Sequence, residues 1–262
     1  MLPMLLVADV GNTETTLGLA DGERIVAHWR VTTEANRTPD EVYLLLHSLL
    51  QSSGDAGRKL RGAAIGSVVP GVTQSLAEAA SRLSETPAVV VDARSPLGIT
   101  LAVDEPMTVG ADRIINTLAA SRIYQSDCIV VDLGTATTYD CITKDGVFLG
   151  GVIQPGVKTS AETLFRRTAK LAATELQAPA KVISTRTDEC IRAGVVYGAA
   201  DAATGIVNRI IASWPNPGRP KVVATGGLAA VIQPHCPVIE LVDADLTLQG
   251  LRMAHEILTA RR

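Results

Sequence analysis

Short apolar runs alternate with amphipathic stretches along the chain. Leu5 to Ala8 leads into Asp9-Val10-Gly11-Asn12-Thr13-Glu14-Thr15-Thr16, then Leu17-Gly18-Leu19, an Asp21-Gly22 turn and Ile25-Val26-Ala27. Much later, Cys128 to Val131 leads into Asp132-Leu133-Gly134-Thr135-Ala136-Thr137-Thr138-Tyr139-Asp140. Cys141-Ile142, an Asp145-Gly146 turn and a further apolar run to Val152 follow. Both stretches read as strand, acidic-glycine turn, strand, Asp-Gly hairpin, strand. Asp132 lies about half a chain length after Asp9. An echo of that period predicts two similar halves facing each other. The alternative is two unrelated hairpins that share a turn preference.

The segments between alternate in type. Thr38-Pro39-Asp40-Glu41 carries a helix start, with Thr38 as cap, Pro39 at the first helical position and Glu41 closing a capping box. Val42, Leu45, Leu46, Leu49 and Leu50 then share one helical face. Gln51 to Arg61 reads as a loop, and Ala63 to Val69 as a buried strand. A helix is expected near Gln74 to Leu83, and a second buried strand at Ala88 to Val91. Gly110-Ala111-Asp112-Arg113 opens a helix that ends near Tyr124, which sets the expected halves at 1–124 and 125–262. Later helices are expected near Ala161 to Lys170, Asp188 to Ser213 with a break near Gly198, and Thr247 to Thr259. A strand at Lys221 to Ala224 runs through Thr225-Gly226-Gly227 into a helix at Leu228 to Val231. The fold class is α/β.

Composition narrows the function. Apolar residues make up 47% of the 262, enough for a core and too many for a disordered chain. A net charge of −3 and 3% aromatic residues argue against nucleic acid as a partner. No membrane span is expected, because the longest uncharged run, Val222 to Ile239, is broken by glycines and prolines. The N-terminus has no basic n-region before its short apolar stretch, so no signal peptide is expected. The cysteines Cys128, Cys141, Cys190 and Cys236 form no CxxC pair and read as buried, reduced thiols of a cytoplasmic protein. The four histidines show no metal-ligand spacing.

The glycine turns carry the candidate chemistry. Glycine lets the backbone approach phosphate oxygens, and neighbouring N–H groups can point at the anion. Thr13, Thr15 and Thr16 add hydroxyl donors, and Asp9 suits a hydrated Mg²⁺ better than a phosphate. Asp132, Thr135, Thr137 and Thr138 repeat the set, so two facing turns could cradle a polyphosphate. Gly226-Gly227 offers a flat seat for an adenosine. Neither a Walker sequence nor an early GxGxxG is present. Asp112 has two readings. One is a first-turn carboxylate stabilised by the helix dipole and Arg113. The other is a proton acceptor for a substrate hydroxyl attacking a γ-phosphate, with Arg113 binding an anionic part of that substrate.

Further segments add to these motifs: Trp29-Arg30-Val31-Thr32-Thr33, Arg37-Thr38-Pro39-Asp40-Glu41, Ser67-Val68-Val69-Pro70, and Pro106 through Arg113. Gly150-Gly151-Val152-Ile153-Gln154-Pro155-Gly156, Leu164-Phe165 and Ala169-Lys170-Leu171 complete the series. In order and spacing this series resembles the type III pantothenate kinases of bacteria. They belong to the superfamily of acetate kinase, sugar kinases, heat-shock chaperone ATPases and actin.

The resemblance implies duplicated actin-like (ribonuclease H-like) halves, each a mixed sheet flanked by helices, with a cleft between them. It implies ATP-dependent phosphorylation of pantothenate to 4'-phosphopantothenate, the first step of coenzyme A biosynthesis, by a homodimer. Asp9, Val10, Gly11, Asn12, Thr13, Glu14, Thr15 and Thr16 are then expected to contact ATP, with Asp9 near Mg²⁺, and Thr135 to contact ATP as well. Gly110, Ala111, Asp112 and Arg113 are expected to form the pantothenate site, with Asp112 as general base and Thr187 as a further substrate contact. Asp132 is expected to bind a monovalent cation, K⁺ or NH₄⁺. The chain departs from the family at Val103, where a tyrosine lining the pantothenate pocket is usual. Two other functions remain in view: a noncatalytic accessory role in transcription, described for members of this family, and a different phosphotransferase or polyphosphate hydrolase on the same fold.

Overall fold

The computed structural model describes residues 4–53, 60–167 and 175–260. The end of the helix expected over Ala161 to Lys170, the Ala169-Lys170-Leu171 segment and part of the loop expected over Gln51 to Arg61 lie outside the described residues. The chain forms two compact units. One comprises Met1–Ile123, Gly146–Phe148 and Asp245–Arg262, and the other Tyr124–Asp145 and Leu149–Ala244. Residues 245–262 thus group with the first unit, whereas the sequence reading kept 125–262 together.

The first unit is built on β1 (Met4–Val10), β2 (Glu14–Asp21), β3 (Arg24–Thr32), β4 (Leu60–Ser67) and β5 (Val89–Val91), in the order β3-β2-β1-β4-β5. The first three strands are antiparallel neighbours, and β4 and β5 run parallel to β1. Side chains alternate between the two faces of a strand. Leu6, Ala8, Val10, Leu17 and Leu19 therefore enter one core layer with α1 (Pro39–Ser52) and α2 (Pro70–Leu83). Leu5, Val7 and Ala20 enter the other, with α3 (Ala111–Tyr124) and the C-terminal helix.

The capping box at Thr38 forms as the sequence predicts. The Glu41 N–H donates to the Thr38 hydroxyl, and the Thr38 N–H donates to the Glu41 carboxylate at 2.8 Å. Helix α2 starts earlier than expected. Pro70 supplies its first position, and the Ser67 hydroxyl accepts the Val69 N–H at 3.1 Å. A short strand, β6 (Thr100–Leu101), pairs in parallel with Val147 and Phe148 at the start of β9 (Val147–Pro155).

The second unit repeats the plan. Strands β7 (Cys128–Leu133), β8 (Ala136–Ile142), β9, β10 (Lys221–Thr225) and β11 (Leu241–Val242) run in the order β9-β8-β7-β10-β11. Again a hairpin is joined by parallel strands, with β10 beside β7. Helix α4 (Val157–Arg167), α5 (Thr187–Ala212) and the short α6 (Ala229–Ile232) flank the sheet. Helix α5 is continuous through Gly198, contrary to the expected break. Val196, Ala200, Ala203 and Val207 lie buried on one side of that glycine and the other, and their packing outweighs its intrinsic cost of about 1 kcal/mol. The last helix, α7 (Leu246–Thr259), returns to the first unit and buries Leu248, Leu251 and Ala254.

The cysteines only partly follow expectation. Cys128 and Cys236 are buried, Cys141 is half-buried, and Cys190 is exposed near the start of α5, where its thiol donates to the Ser184 carbonyl at 3.2 Å.

Candidate active site

The first turn closes when the Gly11 N–H donates to the Glu14 carbonyl at 3.0 Å. Asn12, Thr13 and Glu14 stand exposed at its tip. A hydroxyl chain braces it from behind. Thr33 donates to the Gly11 carbonyl at 2.7 Å and lies 2.9 Å from the buried Thr15 hydroxyl. Since Thr33 has one proton, Thr15 is the donor in that second bond. Thr15 thus faces inward and holds the turn, while Asp9 and Thr16, paired across β1 and β2, share the opposite face.

Asp112 lies in the same unit. Helix α3 begins at Ala111, and its first turn carries Asp112. The carboxylate accepts the Arg113 N–H at 2.9 Å and folds back over Gly110, where a Cβ would collide with it. Burial pushes the Asp112 carboxyl above its ordinary 3.8, and the Arg113 N–H and guanidinium offset this only in part. The result is a carboxylate with increased basicity. Arg113 is fixed by its guanidinium, 4.9 Å from the centre of the buried Phe148 ring.

Val68 joins these two pieces. Its N–H donates to the Val10 carbonyl at 3.1 Å, and its side chain lies 3.4 Å from where a Gly110 Cβ would stand. Further along α3, Ile115 fills the space above Gly66, the β4 partner of Asp9. The Asp112 end of α3 and the Asp9 turn therefore meet the same end of one sheet.

In the second unit the Gly134 N–H donates to the Ala136 carbonyl at 3.1 Å. The Thr135 carbonyl accepts two bonds, from the Gly156 N–H at 3.2 Å and the Thr159 hydroxyl at 2.7 Å. Gly156 packs so tightly that a Cβ would overlap the Thr135 carbonyl. Gly226, at φ +89°, leaves its Cβ position 2.5 Å from Asp132 Oδ1. Register puts Asp132, Thr138 and the fully buried Asp140 on one face, and the buried Thr137 on the other. No cluster of three or more His, Cys, Asp or Glu side chains forms among the described residues. Thr187, at the first position of α5, lines a groove of about 670 Å³ with Gln154, Leu164, Cys190, Gly194 and Gly198.

The type III pantothenate kinase family model matches residues 5–209. Curated relatives carrying that name include those of Streptomyces avermitilis, 44% identical over 97% of this chain and 98% of the relative. That of Roseiflexus castenholzii is likewise 44% identical, over 97% and 99%. The chain belongs to the type III pantothenate kinase family. This kinase, a phosphotransferase, shares its fold with more distant solved structures. Component A of the (R)-2-hydroxyglutaryl-CoA dehydratase of Acidaminococcus fermentans superposes with a TM-score of 0.56 at 15% identity, covering 99% of both chains. A ROK family glucokinase from Streptomyces griseus, solved with glucose and AMPPNP, gives 0.52 at 14% identity over 98% of this chain and 99% of that one. The fold is thus the duplicated actin-like α/β arrangement of two mixed sheets flanked by helices.

Several residues that shape this kinase's turns escaped the sequence reading as participants. Thr33, Val68 and Gly156 were visible only as motif letters and Thr159 not at all, because their bonds to the turns span from 18 to 58 positions, beyond any local pattern. The repeated glycines at 156 and 226 were the one available signal.

Proposed function

We propose that the protein transfers the γ-phosphoryl group of ATP to the primary hydroxyl of pantothenate, with Asp112 as general base. Pantothenate phosphorylation in coenzyme A biosynthesis is the activity its family is named for. The observation that carries the finer reading is the Val68 link, which ties a half-buried carboxylate of raised basicity to the acidic-glycine turn within one unit. In the step proposed, the hydroxyl oxygen bonds to the γ-phosphorus while the bond to the β-bridging oxygen breaks. ADP leaves with that electron pair, and Asp112 takes the hydroxyl proton. Gly110 and Ala111 shape the acceptor site, and Arg113 faces the pantothenate carboxylate.

Asp9 through Thr16 take the ATP phosphates. Asp9 is a single half-buried carboxylate, which fits a Mg²⁺ that keeps most of its waters and phosphate ligands. Such an ion supplies charge neutralisation. Asp132 is assigned the monovalent cation, K⁺ or NH₄⁺, Thr135 an ATP contact and Thr187 a pantothenate contact. We assign the protein to the cytoplasm as a homodimer, without nucleic acid or membrane partners. Helix α5 is long and apolar enough to cross a membrane by composition. One face of it packs in the core, however, and the other lines the groove with Gly194, Gly198, Ala199 and Ala202. Together with the exposed Ile153, Val182 and Ile183, this small-residue face supports a subunit contact.

The test is ATP consumption with pantothenate, with and without K⁺, and product identification by mass. Asp112→Asn is expected to lower kcat about 10²- to 10⁴-fold while leaving nucleotide binding intact. K⁺-independent turnover overturns the cation assignment. ATP turnover without phosphopantothenate moves the acceptor to another hydroxyl compound, with Val103, half-buried in the bend after β6, as the first position to examine.

A further inference from the structure

Register across the first sheet aligns more than Asp9 and Thr16. Thr16 pairs with Asp9 on one side and with Arg30 of β3 on the other. Residues directly opposite each other in a sheet share a face, so Asp9, Thr16 and Arg30 form one row. Their neighbours confirm which face. Trp29 and Val31 pack against the layer that holds Ala8, Val10 and Leu17, which sends Arg30 to the opposite side. That opposite face is the one covered by Ala111, Ile114 and Ile115 of α3, the helix that carries Asp112.

Arg30 is exposed and makes no hydrogen bond or ion pair among the described residues. It stands two strand spacings, about 10 Å, from Asp9, a gap that a long arginine side chain shortens. The sequence has no Walker lysine. A triphosphate held at the first turn needs a cation beside its oxygens, and a guanidinium offers paired donors for this.

We propose that Arg30 is a phosphate-binding residue of the nucleotide site, holding the phosphate tail of ATP beside the first turn. This rests on the kinase reading above, and deepens it by assigning the protein's own counter-charge. Arg30 contributes through charge-assisted bonds to phosphate oxygens, so its effect scales with the number of phosphates on the ligand.

Calorimetric binding of ATP, ADP, AMP and adenosine to the full chain, without pantothenate, tests this directly. Arg30→Gln is expected to weaken ATP and ADP at least tenfold and to leave adenosine within twofold, with an unchanged melting temperature because Arg30 is exposed. Arg30→Lys is expected to recover part of the loss. Arg24→Gln, at the far end of the same strand, is expected to match the wild type. Wild-type ATP affinity in Arg30→Gln overturns the proposal, as does an equal loss for adenosine. A wild-type chain that binds ATP but fails to phosphorylate pantothenate overturns the acceptor reading alone. One that binds no nucleotide overturns both.

Discussion

In the first turn, one backbone bond and two hydroxyls, Thr33 and Thr15, hold a loop whose tip stands open. In the second, two bonds converge on the Thr135 carbonyl while Gly156 and Gly226 press against the turn from other elements. The hairpins share strand order and an acidic residue, yet they are held by different means. The tip of the first stands open to solvent, and the second is fixed by close contacts that leave no room for a side chain.

The glycines give the sharpest way to break this comparison. Gly156→Ala is expected to cost about 3 kcal/mol through overpacking. Gly226→Ala is expected to cost somewhat more, since left-handed backbone adds about 1 kcal/mol for a residue with a Cβ. Gly11→Ala has its Cβ position 3.0 Å from the Glu14 carbonyl and is expected to cost about 1 kcal/mol. Urea unfolding followed separately for each variant measures the three. Equal losses at Gly11 and Gly156 remove the distinction.

A smaller effect separates the hydroxyl braces. Thr33→Val removes both the Gly11 and Thr15 bonds and is expected to cost about 2 kcal/mol, with a rise in KM for ATP. Thr159→Val leaves the Gly156 bond to the same carbonyl and is expected to cost about 1 kcal/mol. Reversal of that order shows that the second turn, not the first, depends on its hydroxyl.

The smallest effect is a pH dependence. Because burial raises the Asp112 pKa, the acid limb of kcat/KM is expected above the ordinary aspartate range, at the point where the carboxyl loses its proton. The sign for stability is opposite. A raised acid favours the folded state below its unfolded pKa of about 3.8, and that advantage is lost as pH rises through the folded value. Asp112→Asn should therefore melt slightly higher than wild type at neutral pH, with the gap closing in acid. A lower neutral melting point assigns Asp112 a structural role at the helix start.

Much of this was legible in the chain itself. Asp-Gly dipeptides and apolar runs fixed both hairpins, because a turn that needs left-handed backbone and a strand that needs alternation are local demands. The Thr38 capping box was legible for the same reason. The break expected at Gly198 did not occur, since the burial of Val196, Ala200, Ala203 and Val207 is a tertiary fact that helix propensity cannot show. The place of α7 was equally hidden. Its amphipathic pattern predicts a helix with one buried face, but nothing local names the sheet that receives it. Cys190 was misplaced because a cysteine's apolar character does not specify which side of α5 it occupies.

The return of α7 sets an order of assembly. The second unit's residues, through Ala244, emerge from the ribosome before the first unit is complete. Leu5 and Val7 of β1 share their core layer with Leu248 and Leu251 of α7, which follow the whole second unit in the chain. Synthesis from the N-terminus usually lets early domains close first. Here α3 covers part of that face of β1 first, and the rest waits for α7. A chain cut before α7 therefore loses part of the apolar cover of β1, the strand that leads into the Asp9 turn.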